Sequence, residues 1–359
     1  MKLLKYLFSI LLAMTMSISF ASAQSAAAGD TTAVAQEDSQ GDVDVQKVIL
    51  SHIGNSYKWE ICRFGKKEVS IFLPVIVHSS TGWHVFSSRR LEGGPYLGLT
   101  IGSGEKYDGK IVEKSPSGEE IRPFDISITK NVLSLFMSSA LLVLLILLCS
   151  RWYKHHDVNK EAPTGIAALM EPVIMMIHTD LVRDALGDDS DKYSPFLCTA
   201  FFWILLNNLL GILPFFPGGA NLTGNITITF FLALCTFFIV NFSGTKAYFK
   251  DIFWPEVPWW LKFPIPLMPI IEIFGVFTKP FALMIRLFAN MMAGHVLTLS
   301  LVCVIFLVAK YGAVVLGSMS LISVTFGVFM DCLDLLISFI QAYVFTVLST
   351  IFISLARQK

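Results

Sequence analysis

Hydrophobic residues fall into long, unbroken runs over the second part of this chain and into short alternating ones before it. Asn131 to Cys149 is almost entirely Leu, Val, Ile and Phe, and Phe196 to Phe216 and Ile226 to Phe242 repeat the pattern on either side of the turn Pro214 to Gly219. Each run is close to the ~20 residues a helix needs to cross a bilayer. Two longer tracts, Ile265 to Ala309 and Ala313 to Ala356, complete a set of five predicted spans. As single helices these two would run about 65 Å against a hydrocarbon core of ~30 Å. The expectation is a pair of long, strongly tilted helices packed antiparallel as a hairpin. Pro264, Pro266, Pro269 and Pro280 predict a broken or bent start to the first.

Other stretches carry other periods. Between Pro163 and Leu186, apolar residues at 166, 169, 173, 174, 177 and 181 recur at helical spacing, while Glu171, His178, Asp180, Arg183 and Asp184 lie largely elsewhere on the wheel. This predicts an amphipathic helix on the membrane surface, with His178 on its polar face. Over residues 57–130, runs such as Val69 to Leu73 and Ile111-Val112 alternate with turn signals at Thr81-Gly82, Gly93-Gly94-Pro95 and Tyr107-Asp108-Gly109, the pattern of a small β-rich domain. His78 and His84 read there as ordinary polar positions, since a metal site would need a third ligand. Residues 24–56 read as a linker, because Gln24 to Gln46 is polar and has no aromatic residue. Residues 1–23 carry Lys2 and Lys5, an apolar run from Leu7 to Phe20 and Ala21-Ser22-Ala23, the form of a secretory signal peptide. The membrane domain then occupies 131–359, and the fold class is an all-α polytopic membrane protein with an exported β-rich domain.

Composition agrees with lipid as the main solvent: 54% of the 359 residues are hydrophobic and only 15% charged, against ~25% charged in soluble domains. The 27 basic and 27 acidic residues balance, so nothing suggests a nucleic-acid partner. Basic residues are distributed unevenly. Ser150 to Ser194, Ser243 to Pro264 and Arg357 to Lys359 hold five, three and two Lys or Arg, while the turns on the other side hold only Lys310. That bias places the first group and the carboxyl terminus in the cytoplasm and the amino-terminal domain outside.

Only six charged residues interrupt Ile265 to Ala356: Glu272, Lys279, Arg286, Lys310, Asp331 and Asp334. Ionisable groups at such depth are costly, ~2.5 to 3.5 kcal/mol each on insertion scales, and mark ion or proton paths. Glu272, Lys279 and Arg286 are seven apart and return to within ~20° of one helix edge. His295 falls about 180° away from Arg286 on the wheel, and Asp334 and Gln341 share a face of the second helix. A network of ion pairs that only glues helices would not explain Arg286, which has no acid at i±3 or i±4. Arginine keeps its proton, so it serves as a fixed charge, whereas His295, Asp334 and Glu272 are groups able to relay protons. Asn207, Asn208 and Asn221 either line water or cap helix ends, and capping is the preferred reading.

The run Met284-Ile285-Arg286-Leu287-Phe288-Ala289-Asn290-Met291-Met292-Ala293-Gly294-His295 resembles the signature of the a subunit of F-type ATP synthases, the stator beside the rotating c ring. The likeness extends to Glu272, to Lys279-Pro280 and to Ile340-Gln341-Ala342-Tyr343-Val344-Phe345, and covers about Asn131 to Lys359. It implies that Arg286 faces the ring, that Asn290 and Gln341 are polar neighbours in two half-channels, and that Glu272 is a cytoplasmic-side exit group supported by Lys279. It implies uptake through His295 and Asp334, an arrangement of histidine and acid similar to mitochondrial forms and reversed in many bacterial relatives. Implied too are the b subunits of the peripheral stalk as partners, a bacterial inner membrane as the location, and neither a cofactor nor a catalytic role in ATP chemistry. The domain from Gln24 to Lys130 is outside the common pattern.

Two other classes compete. An autonomous transporter or proton channel would need its own substrate cavity and often internal repeats, and no repeat is visible between the spans. An intramembrane aspartyl protease would need a second-helix partner for Asp331 and Asp334, and no Ser/His or HExxH arrangement accompanies them.

Overall fold

Short alternating runs need partners to bury their apolar face, and in the computed structural model they find them in three small antiparallel sheets. The structure describes residues 54–64, 67–91, 93–102, 107, 109–114, 120–157, 161–213, 218–253, 267–308 and 312–357; the expected signal peptide and most of the linker lie outside them. Strands β1 (Lys58–Phe64) and β2 (Lys67–Phe72) form one sheet. A second has the order β4-β3-β8, from β3 (Pro74–Ser79), β4 (Gly82–Ser87) and β8 (Phe124–Asp125). The third has the order β5-β6-β7, from β5 (Leu99–Ile101), β6 (Ile111–Lys114) and β7 (Glu120–Ile121). Val75 and Val77 alternate inward on β3 and meet Phe86, Leu91, Leu99 and Ile111 in one core. The expected turn at Thr81-Gly82 joins β3 to β4, with Gly82 at φ 115°, a conformation a side chain resists.

A half-buried polar link ties the sheets together. The Tyr57 hydroxyl donates to Asp125 Oδ2 at 2.5 Å and accepts from the Ile111 amide at 3.5 Å. Burial, reinforced by the bond to Asp125, holds the Tyr57 phenol above its usual range. His84 Nε2 bonds Thr81 Oγ1 at 2.7 Å, and His78 packs edge-on against Trp83.

Among the described residues, five helices are long and apolar enough to cross a membrane. Helix α1 (Lys130–His155) follows the domain directly. Helix α2 (Ile166–Met175) continues through a π-helical stretch, Met176–Arg183, to Leu186, and Gly187 at φ 54° ends it. Then come α3 (Ser190–Ile212), α4 (Ile226–Ser243), the short α5 (Lys246–Phe253), α6 (Leu267–Val308) and α7 (Ala313–Arg357). Asn225 caps α4, its Oδ1 accepting from the Thr227 amide at 3.0 Å.

Three expectations change. The amphipathic helix is present, but protein covers part of its apolar face: Ile177 is fully buried in the same core as Val182, Leu197, Phe201, Phe345 and Ile353, while Ile166 and Leu169 stay exposed. His178 is not simply a polar-face residue, because its Nδ1 lies 2.7 Å from Ser194 Oγ of α3. From Leu267 on, the first long helix is not broken: Pro269 sits in its first turn, where a missing N–H is harmless, and α6 runs on through Pro280, while Pro264 and Pro266 lie outside the described residues.

The far ends of the helices are locked by polar contacts. Arg357 Nε donates to Asp189 Oδ2 at 2.8 Å, Ser354 Oγ to the Ala185 carbonyl at 2.7 Å, and the Thr245 amide to the Ala356 carbonyl at 3.0 Å. These hold the end of α7 against α2, α3 and α5.

Candidate functional site: the polar residues between the two long helices

Helices α6 and α7 approach in a register set by two small-scale contacts. Asn290 Nδ2 donates to Gln341 Oε1 at 2.7 Å, across 51 residues of sequence. One turn further along α6, a Cβ built on Gly294 would lie 2.7 Å from both carboxyl oxygens of Asp334. Position 290 thus meets 341 and 294 meets 334, so the helices run antiparallel. Only glycine at 294 lets the Asp334 carboxyl sit against the α6 backbone.

That carboxyl opens into a cavity of about 530 Å³. His295 and Asn290 of α6, Asp331 and Asp334 of α7, and Gly211 of α3 line it, with Asn221 of the α3–α4 connection. His295 Nε2 is buried without a hydrogen-bond partner among the described residues, and the Cβ site of Gly211 lies 3.6 Å from it. Such a volume far exceeds that of one water, and its carboxyl, imidazole and amide groups are the polar lining that buried water requires.

Arg286 lies elsewhere. It is exposed on the surface of α6, and among the described residues it makes no hydrogen bond or ion pair. Its neighbours on that face at helical spacing, Ala282, Ala289, Asn290 and Ala293, are exposed too, and small enough for another helix to come close. By helix rise His295 is about 13 Å along α6 in one direction and Glu272 about 21 Å in the other.

A second polar group surrounds the Glu272 end. Lys279 Nζ lies 5.8 Å from the Phe352 ring centroid, and Lys279, Asn241 and Tyr248 share a small pocket of about 20 Å³. Burial raises the Tyr248 phenol on α5 above its usual range, and the Glu272 charge adds to this.

The structure therefore brings His295 and Asp334 into one cavity and puts Arg286 on a different surface. Gln341 differs from expectation: it does not line the cavity, but is 3% exposed beneath Asn290, which does. Asn207 and Asn208 sit inside α3 and cap nothing there; Asn207 Nδ2 bonds the Trp203 carbonyl at 2.7 Å and Asn208 Nδ2 reaches the Ser338 carbonyl of α7 at 3.4 Å. Asn221 lines the cavity while its Oδ1 accepts from the Gly224 amide. Asp331 joins the same cavity, a role its spacing of three from Asp334 permitted, and Lys58 and Lys130 line it with no forewarning in the sequence.

Comparison with known proteins covers the same ground. The profile of the family described as ATP synthase A chain matches residues 134–354, and a domain of unknown function matches residues 48–126. The chain is similar to "ATP synthase subunit a 2" of Prosthecochloris aestuarii, with 36% identity over 280 residues, 76% of this chain and 84% of that one. It is similar also to "ATP synthase subunit a 2" of Chlorobaculum tepidum, 41% identical over 260 residues, 69% of this chain and 70% of that one. "ATP synthase subunit a" of Myxococcus xanthus is 36% identical over 240 residues, 65% and 73% of the two chains. With the arginine signature, five apolar helices and a profile match over more than half its length, the chain belongs to the ATP synthase A chain family.

Proposed function

We propose that this chain is the proton-translocating stator subunit of the membrane sector of an ATP synthase, with Arg286 facing the rotating c ring and two half-channels on either side of it. The observation that carries this reading is an exposed guanidinium, unpaired among the described residues, between two polar groups at opposite ends of one helix. At 42 and 45 residues, α6 and α7 are about twice as long as the hydrocarbon is thick, so they lie tilted in it and present a long edge to a neighbour. The basic-residue bias and the signal-like form of residues 1–23 support a periplasmic β domain and a cytoplasmic carboxyl terminus in a bacterial inner membrane. The b subunits of the peripheral stalk hold the chain still.

The chemistry is electrostatic. A ring carboxyl facing lipid is desolvated and stays protonated and neutral. Opposite Arg286 it meets a fixed cation, and at about 4 Å with an effective dielectric near 20 the attraction is ~4 kcal/mol. That shifts its ionisation about a thousandfold, enough to release the proton. Protons reach the ring from the periplasm through the cavity of His295 and Asp334, with Asn290 and Gln341 beside the contact. They leave after nearly a full turn on the side of Lys279 and Glu272. Arg286 separates the two paths, so net flow requires rotation, driven by ~2.3 kcal/mol per charge per 100 mV. On this reading ATP chemistry belongs to other subunits of the enzyme.

Arg286→Ala should abolish ATP-driven proton pumping by assembled enzyme in inverted membrane vesicles, while the detached catalytic sector still hydrolyses ATP. Wild-type pumping by that variant refutes the assignment.

A further inference from the structure

The cavity that holds His295, Asp331 and Asp334 is not built by membrane helices alone. Gly54, Ser56, Lys58 and Trp59 of the amino-terminal segment form part of its wall, together with Lys130, the first residue of α1. The segment is fastened there from both sides. The Lys130 amide donates to the Ser56 carbonyl at 2.9 Å, Asn55 Nδ2 to Thr129 Oγ1 at 3.0 Å, and the Asn131 amide to Asn55 Oδ1 at 3.3 Å. Beyond it, Lys58 opens β1 in register with Phe72, and Trp59 is 2% exposed. Lys58 is therefore held by a strand on one side and, through its neighbours Asn55 and Ser56, by three hydrogen bonds to the base of α1 on the other, a placement a tethered, independently moving domain would not have.

We propose that the amino-terminal β domain forms the outer mouth of the proton-uptake cavity, and that Lys58 sets the potential, and hence the proton concentration, inside it. This rests on the reading of that cavity as the uptake path. Among the described residues, the charged and titratable groups lining the cavity are Lys58 from β1, Lys130 from α1, His295 from α6, and Asp331 and Asp334 from α7, with none from the described parts of α3 and the α3–α4 connection. A charge in a cleft with low-dielectric walls acts further than the same charge on an open surface, because the walls focus its field. Two carboxylates alone would gather hydrated metal cations, which favour clustered oxygen ligands, and so obstruct the path. An ammonium in the same space offsets that attraction and lowers the local proton concentration relative to bulk. The β domain thereby decides at what external pH the path saturates.

The test uses the whole ATP synthase reconstituted in liposomes, with ATP synthesis driven by an imposed proton gradient and potassium diffusion potential. Its initial rate is read against the pH of the compartment facing the β domain. Lys58→Gln should move the half-maximal pH up by about half a unit and Lys58→Glu by about twice that, both shifts shrinking at high salt. Lys58→Arg should match wild type. An assembled Lys58→Glu enzyme with the wild-type pH curve overturns the proposal. If Lys58→Glu does not assemble, charge is added to the folded enzyme instead. In a Cys62→Ser background, Ser56→Cys is labelled with membrane-impermeant anionic or cationic methanethiosulfonates. The two labels should shift the curve in opposite directions, and an identical curve with either overturns the proposal. His295→Ala and Asp334→Ala separate the two levels of inference. If they slow synthesis while the charge changes do nothing, only the role of the domain fails; if they too run at wild-type rate, the uptake reading itself fails.

Discussion

Gly294→Ala offers a sharp probe of how closely α7 must approach α6. The added Cβ would meet Asp334 Oδ1 and Oδ2 at 2.7 Å and its Cγ at 2.9 Å, so the carboxyl has to retreat by about 0.7 Å to reach ordinary contact. Overpacking of this kind costs typically 1 to 3 kcal/mol. Alanine in place of glycine inside a helix returns about 1 kcal/mol. Net stability should therefore fall by no more than about 2 kcal/mol, and the enzyme should assemble. Function is the more sensitive readout, because displacing a proton-handling group by a sizeable fraction of an ångström costs up to ~100-fold in rate. We expect ATP synthesis driven by an imposed gradient to drop roughly tenfold, with ATP hydrolysis by the detached catalytic sector unchanged. Gly211→Ala is the matched control: its Cβ would stand 3.6 Å from His295 Nε2, an ordinary contact, and activity should stay within about twofold of wild type. A fully assembled Gly294→Ala enzyme synthesising ATP at the wild-type rate would refute the claim that the Asp334 carboxyl is held in a functional position by the glycine.

Two further outcomes follow from polar contacts outside the transport path. Tyr57→Phe removes a hydrogen bond to a carboxylate and should loosen the β domain by about 1 to 2 kcal/mol at neutral pH, seen as faster amide exchange at Ile111 and Leu73. Because folding raises the Tyr57 phenol above its unfolded value, the stability from this contact is fully present below about pH 10 and is lost as pH rises further. Protection in wild type should fall in that alkaline window, and Tyr57→Phe should lack this particular loss. Arg357→Ala cuts the link from the end of α7 to Asp189, and because both side chains are about one-third exposed only a small loss of stability is expected. A double-mutant cycle with Asp189→Ala in thermal dissociation of the complex checks it, and strict additivity would show the pair contributes nothing.

Hydrocarbon imposes few solutions on a chain, and for that reason the five apolar helices were legible from runs of Leu, Ile, Val and Phe alone, with boundaries shifted by only a few residues at most ends. The same intolerance made Arg286 conspicuous, because a charge with no local acid cannot be neutralised within its own helix. Strands β2 and β6 were foreshadowed by the runs Val69 to Leu73 and Ile111-Val112, and the β3–β4 connection by the turn signal at Thr81-Gly82. Helical spacing also put His295 and Arg286 on different sides of α6, since that depends only on the angle per residue.

What periodicity could not supply is the relation between elements. A wheel says which residues share a face, but not which face of another helix they meet or at what height. The pairing of Asn290 with Gln341, the seat of Asp334 over Gly294, and the protein cover over Ile177 and Val182 all depend on interhelix register, which is decided by packing summed over whole helices. The cavity is the extreme case, because Lys58, Lys130, Asn221, His295 and Asp331 come from five separate parts of the chain. Sequence by itself determined that this chain lives in a membrane and holds a permanent charge there, because solvation energy is a property of each segment taken alone. Tertiary structure alone decided that the β domain shares a wall with the buried histidine, because a common surface exists only once distant segments have been brought to the same place.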